Sequence, residues 1–430
     1  MIQLIVTIFV VGYLCIALES FTKVNKAGIA LLMGTLCWAS IQIWGEPVSS
    51  SQFHEYLAEV CETILFLMGA MTVVETVDRH GGFRFVNRQL YTANPKVLLW
   101  KVVGMTFILS ALLDNMTTSI VMTMILRNLI LDREMRLKYV GMVILAANAG
   151  GAFSPIGDVT TIMLWIRGCL STTGVITGLI IPSIVCAVVP ALFIMPTLKG
   201  KIEKPQIVES ANGHEFSQFG RHLILLLGVG GLIFVPFFHN ITDLPPFMGV
   251  LFVLSLLWVA IEVIISVSHG HEEEQFEKAR VTHMLSRIDM STILFFLGIL
   301  TAVNAMAYIG VLDSLGKWLE TSVGNVYVID SLIGVFSSVI DNVPLVASAM
   351  GMYEIAQTGM YAQDGLFWEL LAYCAGTGGS LLIIGSAAGV VVMGIEKISF
   401  IWYLKKFTLL ALVGYVAGIA AYWLQHMLIG

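Results

Sequence analysis

The sequence predicts an all-α polytopic membrane protein: an inverted-topology repeat of about ten transmembrane helices plus two re-entrant hairpins and two broken helices. Three observations carry this. Hydrophobic residues make up 57% of the 430-residue chain and charged residues 12%, against about a quarter charged in a soluble domain. One carboxylate-bearing motif recurs in the same frame inside two apolar segments. Lys and Arg fall almost wholly on one side of any topology in which those two segments turn back.

In chain order, spans are expected near 2–18, 27–44 and 57–77, then a double segment at 97–131. Further spans lie near 139–166, 174–198, 222–239, 246–267 and 290–312. A second double segment at 326–353 precedes the last spans, near 366–395 and 400–428. Residues 1–17 lack the basic stretch and small-residue cleavage site of a secretory signal and read as a first span. Residues 199–221 are expected to be a polar cytoplasmic linker, and 268–289, with Glu272-Glu-Glu274, another cytoplasmic loop. The six cysteines have no metal-ligand spacing and read as small buried hydrophobes.

Within 97–131 lies Ser110-Ala-Leu-Leu-Asp114-Asn115-Met-Thr117-Thr118-Ser119, and within 326–353 lies Ser337-Ser-Val-Ile-Asp341-Asn342-Val-Pro344. A carboxylate at the centre of a membrane helix costs roughly 2.5–3.5 kcal/mol on insertion scales, so its repetition in one frame points to use. The basic residues give each segment a direction. If the chain starts outside and each double segment enters and leaves on one face, every Lys and Arg except Arg167 and Lys317 falls on one side. That side is then cytoplasmic, with both termini periplasmic. Segment 97–131 has basic flanks at both ends, so it opens to the cytoplasm as a hairpin. Segment 326–353, flanked by acidic residues and Lys317, opens to the other face.

The repeat extends beyond these apices. Thr63-Ile-Leu-Phe66-Leu-Met-Gly69 matches Thr292-Ile-Leu-Phe295-Phe-Leu-Gly298. Asn148-Ala-Gly150-Gly151-Ala-Phe-Ser-Pro-Ile156-Gly157 matches Gly376-Thr-Gly378-Gly379-Ser-Leu-Leu-Ile-Ile384-Gly385. The offsets agree: 292 − 63 = 229, 337 − 110 = 227 and 376 − 148 = 228. This predicts a first repeat at 1–198 (hairpin 97–131, broken helix 139–166) and a second at 222–430 (hairpin 326–353, broken helix 366–395). Inverted repeats with interrupted helices are a transporter architecture, with substrate held near the midplane. The glycine pairs and Pro155 interrupt the helical ladder. Irregular backbone at that depth survives only when buried in protein or lining a polar cavity.

The residues brought to the centre are all oxygen donors. They comprise Asp114, Asp158 and Asp341, the amides Asn115, Asn148 and Asn342, and the hydroxyls Thr117, Thr118, Thr160, Thr161, Ser380 and Ser386. No Lys, Arg or His is expected near them, which favours a small hard cation over an anion. Desolvation raises the proton affinity of carboxylates. A proton and Na⁺ can therefore compete for one site, and that competition is a minimal exchange mechanism. The predicted metal subset is Na⁺ at Asp114, Asn115, Asp158, Asp341 and Asn342.

These four segments, from Leu-Leu-Asp114-Asn-Met-Thr-Thr-Ser to Gly376-Thr-Gly-Gly-Ser-Leu-Leu-Ile-Ile-Gly-Ser-Ala-Ala-Gly389, resemble the NhaD-type sodium/proton antiporters of the ion transporter superfamily. The resemblance covers essentially the whole chain. It implies a bacterial inner-membrane antiporter exporting Na⁺ or Li⁺ for H⁺, not an enzyme and without a cofactor. It further implies a homodimer that moves a transport domain against a scaffold in the bilayer. Asp158 stands where the second repeat has Ser386, so the two halves are unequal.

A sodium-coupled dicarboxylate or oxyanion carrier on the same fold is the alternative, and Asp at both apices would repel its substrate. An intramembrane aspartyl protease has no use for inverted hairpins. Nothing suggests a nucleotide or a nucleic acid as partner. Glu75, Asp78 and His80 lie near the cytoplasmic end of the third span. They are either interfacial charges beside Arg79 or a pH-sensing entry, since His titrates in the relevant range. Glu62 and Glu262 read as snorkelling or locally paired, and Glu396 and Lys397 as interfacial.

Overall fold

The structure, a computed structural model, describes residues 1–17, 24–45, 48–81, 89–90, 92–200, 202, 218–267, 280–285, 288–339 and 342–429. The described residues are helical almost throughout and form no strand beyond one isolated bridge between Ala356 and Ala362. The first half comprises α1 (Ile2–Ala17), α2 (Lys26–Trp44), α3 (Ser50–Arg79), α4 (Pro95–Leu112), α5 (Asn115–Leu129), α6 (Arg133–Ala152), α7 (Val159–Ile166) and α8 (Thr172–Ile194). Then come α9 (Gln218–Leu225), which runs through a π-helical turn into α10 (Gly231–Thr242), α11 (Pro246–Val267) and the short α12 (Val281–Leu285). The chain continues through α13 (Met290–Tyr308), α14 (Val311–Ser322), α15 (Val326–Ser337), α16 (Asn342–Met352) and α17 (Leu366–Gly378). It closes with α18 (Ala387–Glu396), α19 (Phe400–Lys406) and α20 (Thr408–Ile429).

Among the described residues, eight helices are long and apolar enough to cross a membrane. They include six of the expected spans, the arm α4, and α20, which takes up most of the last expected span. The breaks account for much of the difference from ten. Segment 139–166 is split into α6 and α7, and 366–395 into α17 and α18, while α1 has only 16 residues. The expected span 400–428 is divided into α19 and α20 at Phe407, and α19 itself meets α18 at a bend of 114°. Most of the expected linker, 203–217, lies outside the described residues, as do 268–279 of the second loop, and α9 already begins at Gln218. Four cysteines are buried, whereas Cys61 is exposed and Cys15 intermediate.

Each break is a helix restart, and capping chemistry sets its position. The Asp114 carboxylate accepts a hydrogen bond from the Thr117 amide at 2.7 Å and so begins α5 as an N-cap. Asp158 caps α7 through the Thr160 amide at 3.0 Å, and Ser386 caps α18 through the Gly389 amide at 3.2 Å. Before α7, Pro155 lacks the N–H that would continue α6, and the Ser154 hydroxyl donates instead to the Ala111 carbonyl at 2.5 Å.

Two pairs of helices repeat the same contacts. Ser110 Oγ donates to the Ala147 carbonyl at 2.6 Å, tying α4 to α6, and Ser337 Oγ donates to the Ala375 carbonyl at 2.8 Å, tying α15 to α17. A Cβ on Gly150 would run into the Phe107 carbonyl, and one on Gly378 into the Gly334 carbonyl. Glycine is required at both positions because helix backbones touch there.

The remaining long helices interlock. α2 packs along α13, where a Cβ on Gly34 would come within 2.8 Å of the Gly298 carbonyl, and Trp38 Nε1 donates to the Thr301 carbonyl at 2.8 Å. α3 packs along α11, with Gly69 against Val250.

Candidate functional site

Four helix N-termini meet at one place: those of α5, α7, α16 and α18. Side chains at their first or capping positions form a continuous buried network. Asn115 Nδ2 donates to Asp158 Oδ2 at 2.6 Å and lies 3.1 Å from Asn148 Oδ1. Asn342 Nδ2 reaches Asp158 Oδ1 at 3.4 Å, and the Thr160 hydroxyl donates to the same oxygen at 2.9 Å. Asn148 Nδ2 donates to Ser380 Oγ at 2.8 Å and Ser386 Oγ at 2.9 Å. The network thus joins the first hairpin, both broken helices and the second hairpin. Asp158 is 2% exposed and Asn148 fully buried, so little water screens it.

The electrostatics follow from the helix ends. Each N-terminus carries about half a positive charge, and four converging ends favour an anion. Among the described residues, two of those ends hold a carboxylate of the chain, Asp114 on α5 and Asp158 on α7. Hydroxyls and amides supply further oxygens. The Thr118 and Thr161 hydroxyls are buried without a hydrogen-bond partner, and the fold leaves these two oxygens for something else to satisfy.

Of the other expected residues, Asp114 is half-buried and turned to its own helix through the Thr117 amide. Asp341 lies outside the described residues. A cavity of about 270 Å³ opens between α3 and α13 on one side and α7 and α16 on the other, lined among others by Glu62, Thr63, Arg167 and Asn304.

The sequence model of the family described as citrate transporter matches residues 13–368. The chain belongs to that family. Several of its relatives are named as sodium/proton antiporters. Sodium/proton antiporter 1 of Arabidopsis thaliana is 45% identical over 425 residues, covering 98% of this chain and 72% of its own length. Sodium/proton antiporter 2 of the same plant is 42% identical, covering 97% and 98%. The Na⁺/H⁺ antiporter NhaD of Vibrio parahaemolyticus is 30% identical, covering 90% and 97%. The motifs that resembled NhaD-type antiporters therefore lie in a chain related to them along nearly its whole length.

The remaining charges of this citrate transporter family member follow the sequence expectation at Glu75 and Glu262 and depart from it at Glu396. Glu75 pairs with Arg79 at 3.1 Å in a half-exposed helical pair, and His80 Nδ1 lies 2.6 Å from the Thr76 carbonyl; Asp78 shares that helix end. Glu262 pairs with Arg280 at 3.3 Å. Glu396 is not an exposed charge at a helix end but is buried in the protein: it is 5% exposed, with Arg136 Nε at 3.1 Å and Arg127 Nε at 3.6 Å. Its partners come from α5 and α6, which are remote in sequence. Two further groups escaped the sequence reading. Tyr403 Oη supports the site by donating to the Ser380 carbonyl at 2.8 Å. Asp330 is fully buried on α15. Its signal was the one that exposed Asp114, a carboxylate within an apolar helix.

Proposed function

We propose that the chain is a secondary active transporter that exchanges Na⁺ or Li⁺ for H⁺, with both ions competing for the Asp158-centred network. The observation that carries this reading is the built-in carboxylate. Where converging helix N-termini would hold the carboxylate of an anionic substrate, this chain supplies Asp158, bonded to Asn115, Asn342 and Thr160. A buried carboxylate needs a cation or a proton. Either satisfies it, and the neutralised network is the form free to move.

In this reading Asp114, Asn115, Thr117, Thr118, Asn148, Asp158, Thr160, Thr161, Asp341, Asn342, Ser380 and Ser386 line the cation path. Thr118 and Thr161 offer the unpartnered hydroxyls. Glu75, Asp78 and His80 form a separate group at the inner end of α3, where a pH-sensing or entry role fits. The two repeats, 1–198 and 222–430, are oppositely oriented, with the 199–221 linker cytoplasmic. The paired contacts of Ser110 and Ser337 support the duplication. The charge distribution supports periplasmic termini, and the Vibrio relatives support a bacterial inner membrane. A homodimer and the absence of a cofactor follow from the family resemblance, and the chain is a carrier rather than an enzyme.

The test is reconstitution in proteoliposomes with an imposed pH gradient. Na⁺ and Li⁺ are expected to collapse the gradient in the wild type and to fail in Asp158→Asn. Na⁺-dependent citrate accumulation without proton exchange would replace this reading with the anion-carrier alternative.

A further inference from the structure

We propose that Asp330 is a second proton site, separate from the ion network, which carries an additional H⁺ in each cycle. The proposal rests on the exchange reading above and begins from geometry. Asp330 is 0% exposed, and neither carboxylate oxygen has a hydrogen-bond partner. It lies on the face of α15 that also carries Gly334 and Ser337 and packs on α17. Gly334 there meets the Cys374 carbonyl, and Ser337 bonds Ala375. From α20, Tyr415 crosses this face and donates to the Ser331 carbonyl at 2.9 Å.

The titratable groups close enough to feel the Asp330 charge are Cys374 on α17, Tyr415 and Tyr422 on α20, and Tyr353 and Tyr361 in the segment after α16. Cys186 of α8 lies behind Tyr373 of α17. None of these is basic. A bare carboxylate with neither cation nor donor is the costliest group to bury, so the neutral acid is the form this site accepts. A hard metal cation needs several oxygen ligands, whereas a proton needs one. The chemistry of the site is therefore proton binding and not Na⁺ binding.

The duplication separates this role from a structural one. The 227-residue offset of the hairpins (337 − 110) places Val103 where Asp330 stands, and Val103 is equally buried at 3%. A second carboxyl follows the same rule. Glu369, which accepts from Tyr422 Oη at 2.8 Å, corresponds at the 228-residue offset (376 − 148) to Gly141. The fold is thus built once without these acids and once with them. Both stand near the N-terminal ends of their helices, Asp330 four residues after Val326 and Glu369 three after Leu366. Glu369, which is half-buried, forms with Tyr422 an acid–phenol pair through which a proton on Asp330 can exchange with the surface at that end.

The experiment is a coupling-ratio measurement on the full chain in proteoliposomes. Na⁺ and H⁺ fluxes are followed together at membrane potentials set with potassium and valinomycin. Asp330→Asn and Asp330→Val, the latter copying the first repeat, are expected to exchange Na⁺ with one H⁺ fewer and to lose the matching share of voltage dependence. A wild-type ratio in either variant overturns the proposal. If both variants fail to fold, infrared difference spectra of the wild type decide: Na⁺-driven turnover must deplete a protonated-carboxyl band beyond that of Asp158, and its constancy overturns the proposal. A wild type that moves no Na⁺ against H⁺ sinks the exchange reading instead, and a pH titration of the same infrared band still tests Asp330 alone.

Discussion

The break before α7 and the break before α18 do the same mechanical work with different chemistry. Both interrupt a helix beside a glycine pair, and both restart it with a side-chain cap. Both also lie behind a hairpin whose serine donates to a helix carbonyl. At the first restart the cap is Asp158, which gathers donors from Asn115, Thr160 and Asn342. At the second it is Ser386, which accepts from Asn148. Duplication has kept the backbone and divided the charge. In the proposed reading, backbone geometry sets where an ion can sit, and the Asp158 carboxylate sets on which half it is held.

The sharpest way to break this comparison is to treat the two caps alike. Asp158→Asn removes the carboxylate charge that four donors and the ion share, and is expected to lower apparent Na⁺ affinity by about 100-fold or more, enough to abolish exchange in the gradient assay, since a single contact to a charged group is worth roughly 1.5–3 kcal/mol. Ser386→Ala loses a neutral contact and is expected to cost about tenfold or less in the same flux assay. Equal losses would mean that the halves share the ion.

The shared backbone makes the opposite prediction for Gly150→Ala and Gly378→Ala. Each puts a methyl group against a carbonyl, and each is expected to lower stability by about 1–3 kcal/mol, as thermal unfolding in detergent would read. A large difference between them would show that the two hairpins are not packed alike. Ser110→Ala and Ser337→Ala sharpen the same point on a smaller scale, with about 1 kcal/mol expected from each. The smallest effect belongs to Glu75→Gln. Its half-exposed pair with Arg79 is expected to contribute less than about 0.5 kcal/mol to the melting transition. A displaced pH profile of exchange in that variant would assign the end of α3 a sensing role.

The apices and breaks were legible because their causes are local. An Asp, Ser or Asn at a helix start, and glycines or a proline just before it, announce a restart wherever they stand in the chain. The network itself was legible only as a list of oxygen donors. That Asn148 would bond Ser386 as well as the apex residue Asn115 depends on how two helices separated by more than 200 residues pack, and no periodicity records this. Glu396 failed for the same reason. Its position at a helix end looked interfacial, but α5 and α6 bring Arg127 and Arg136 over it. Asp330 carries a local signal too, a carboxylate within an apolar helix, but Val103 stands at its place in the first half, so the repeat does not mark it.

The interlocking of α2 with α13 and of α3 with α11 has a consequence for how the protein is made. A ribosome delivers Gly34 and Trp38 long before Gly298 and Thr301, their partners across the helix pair. Until α13 has emerged, the face of α2 meant for a backbone contact must be lined by lipid. Native pairing over such a sequence separation is slow and leaves partly assembled surfaces exposed. Severing the chain between α8 and α9 would therefore yield not two small folded proteins but two fragments, each holding one side of the other's scaffold.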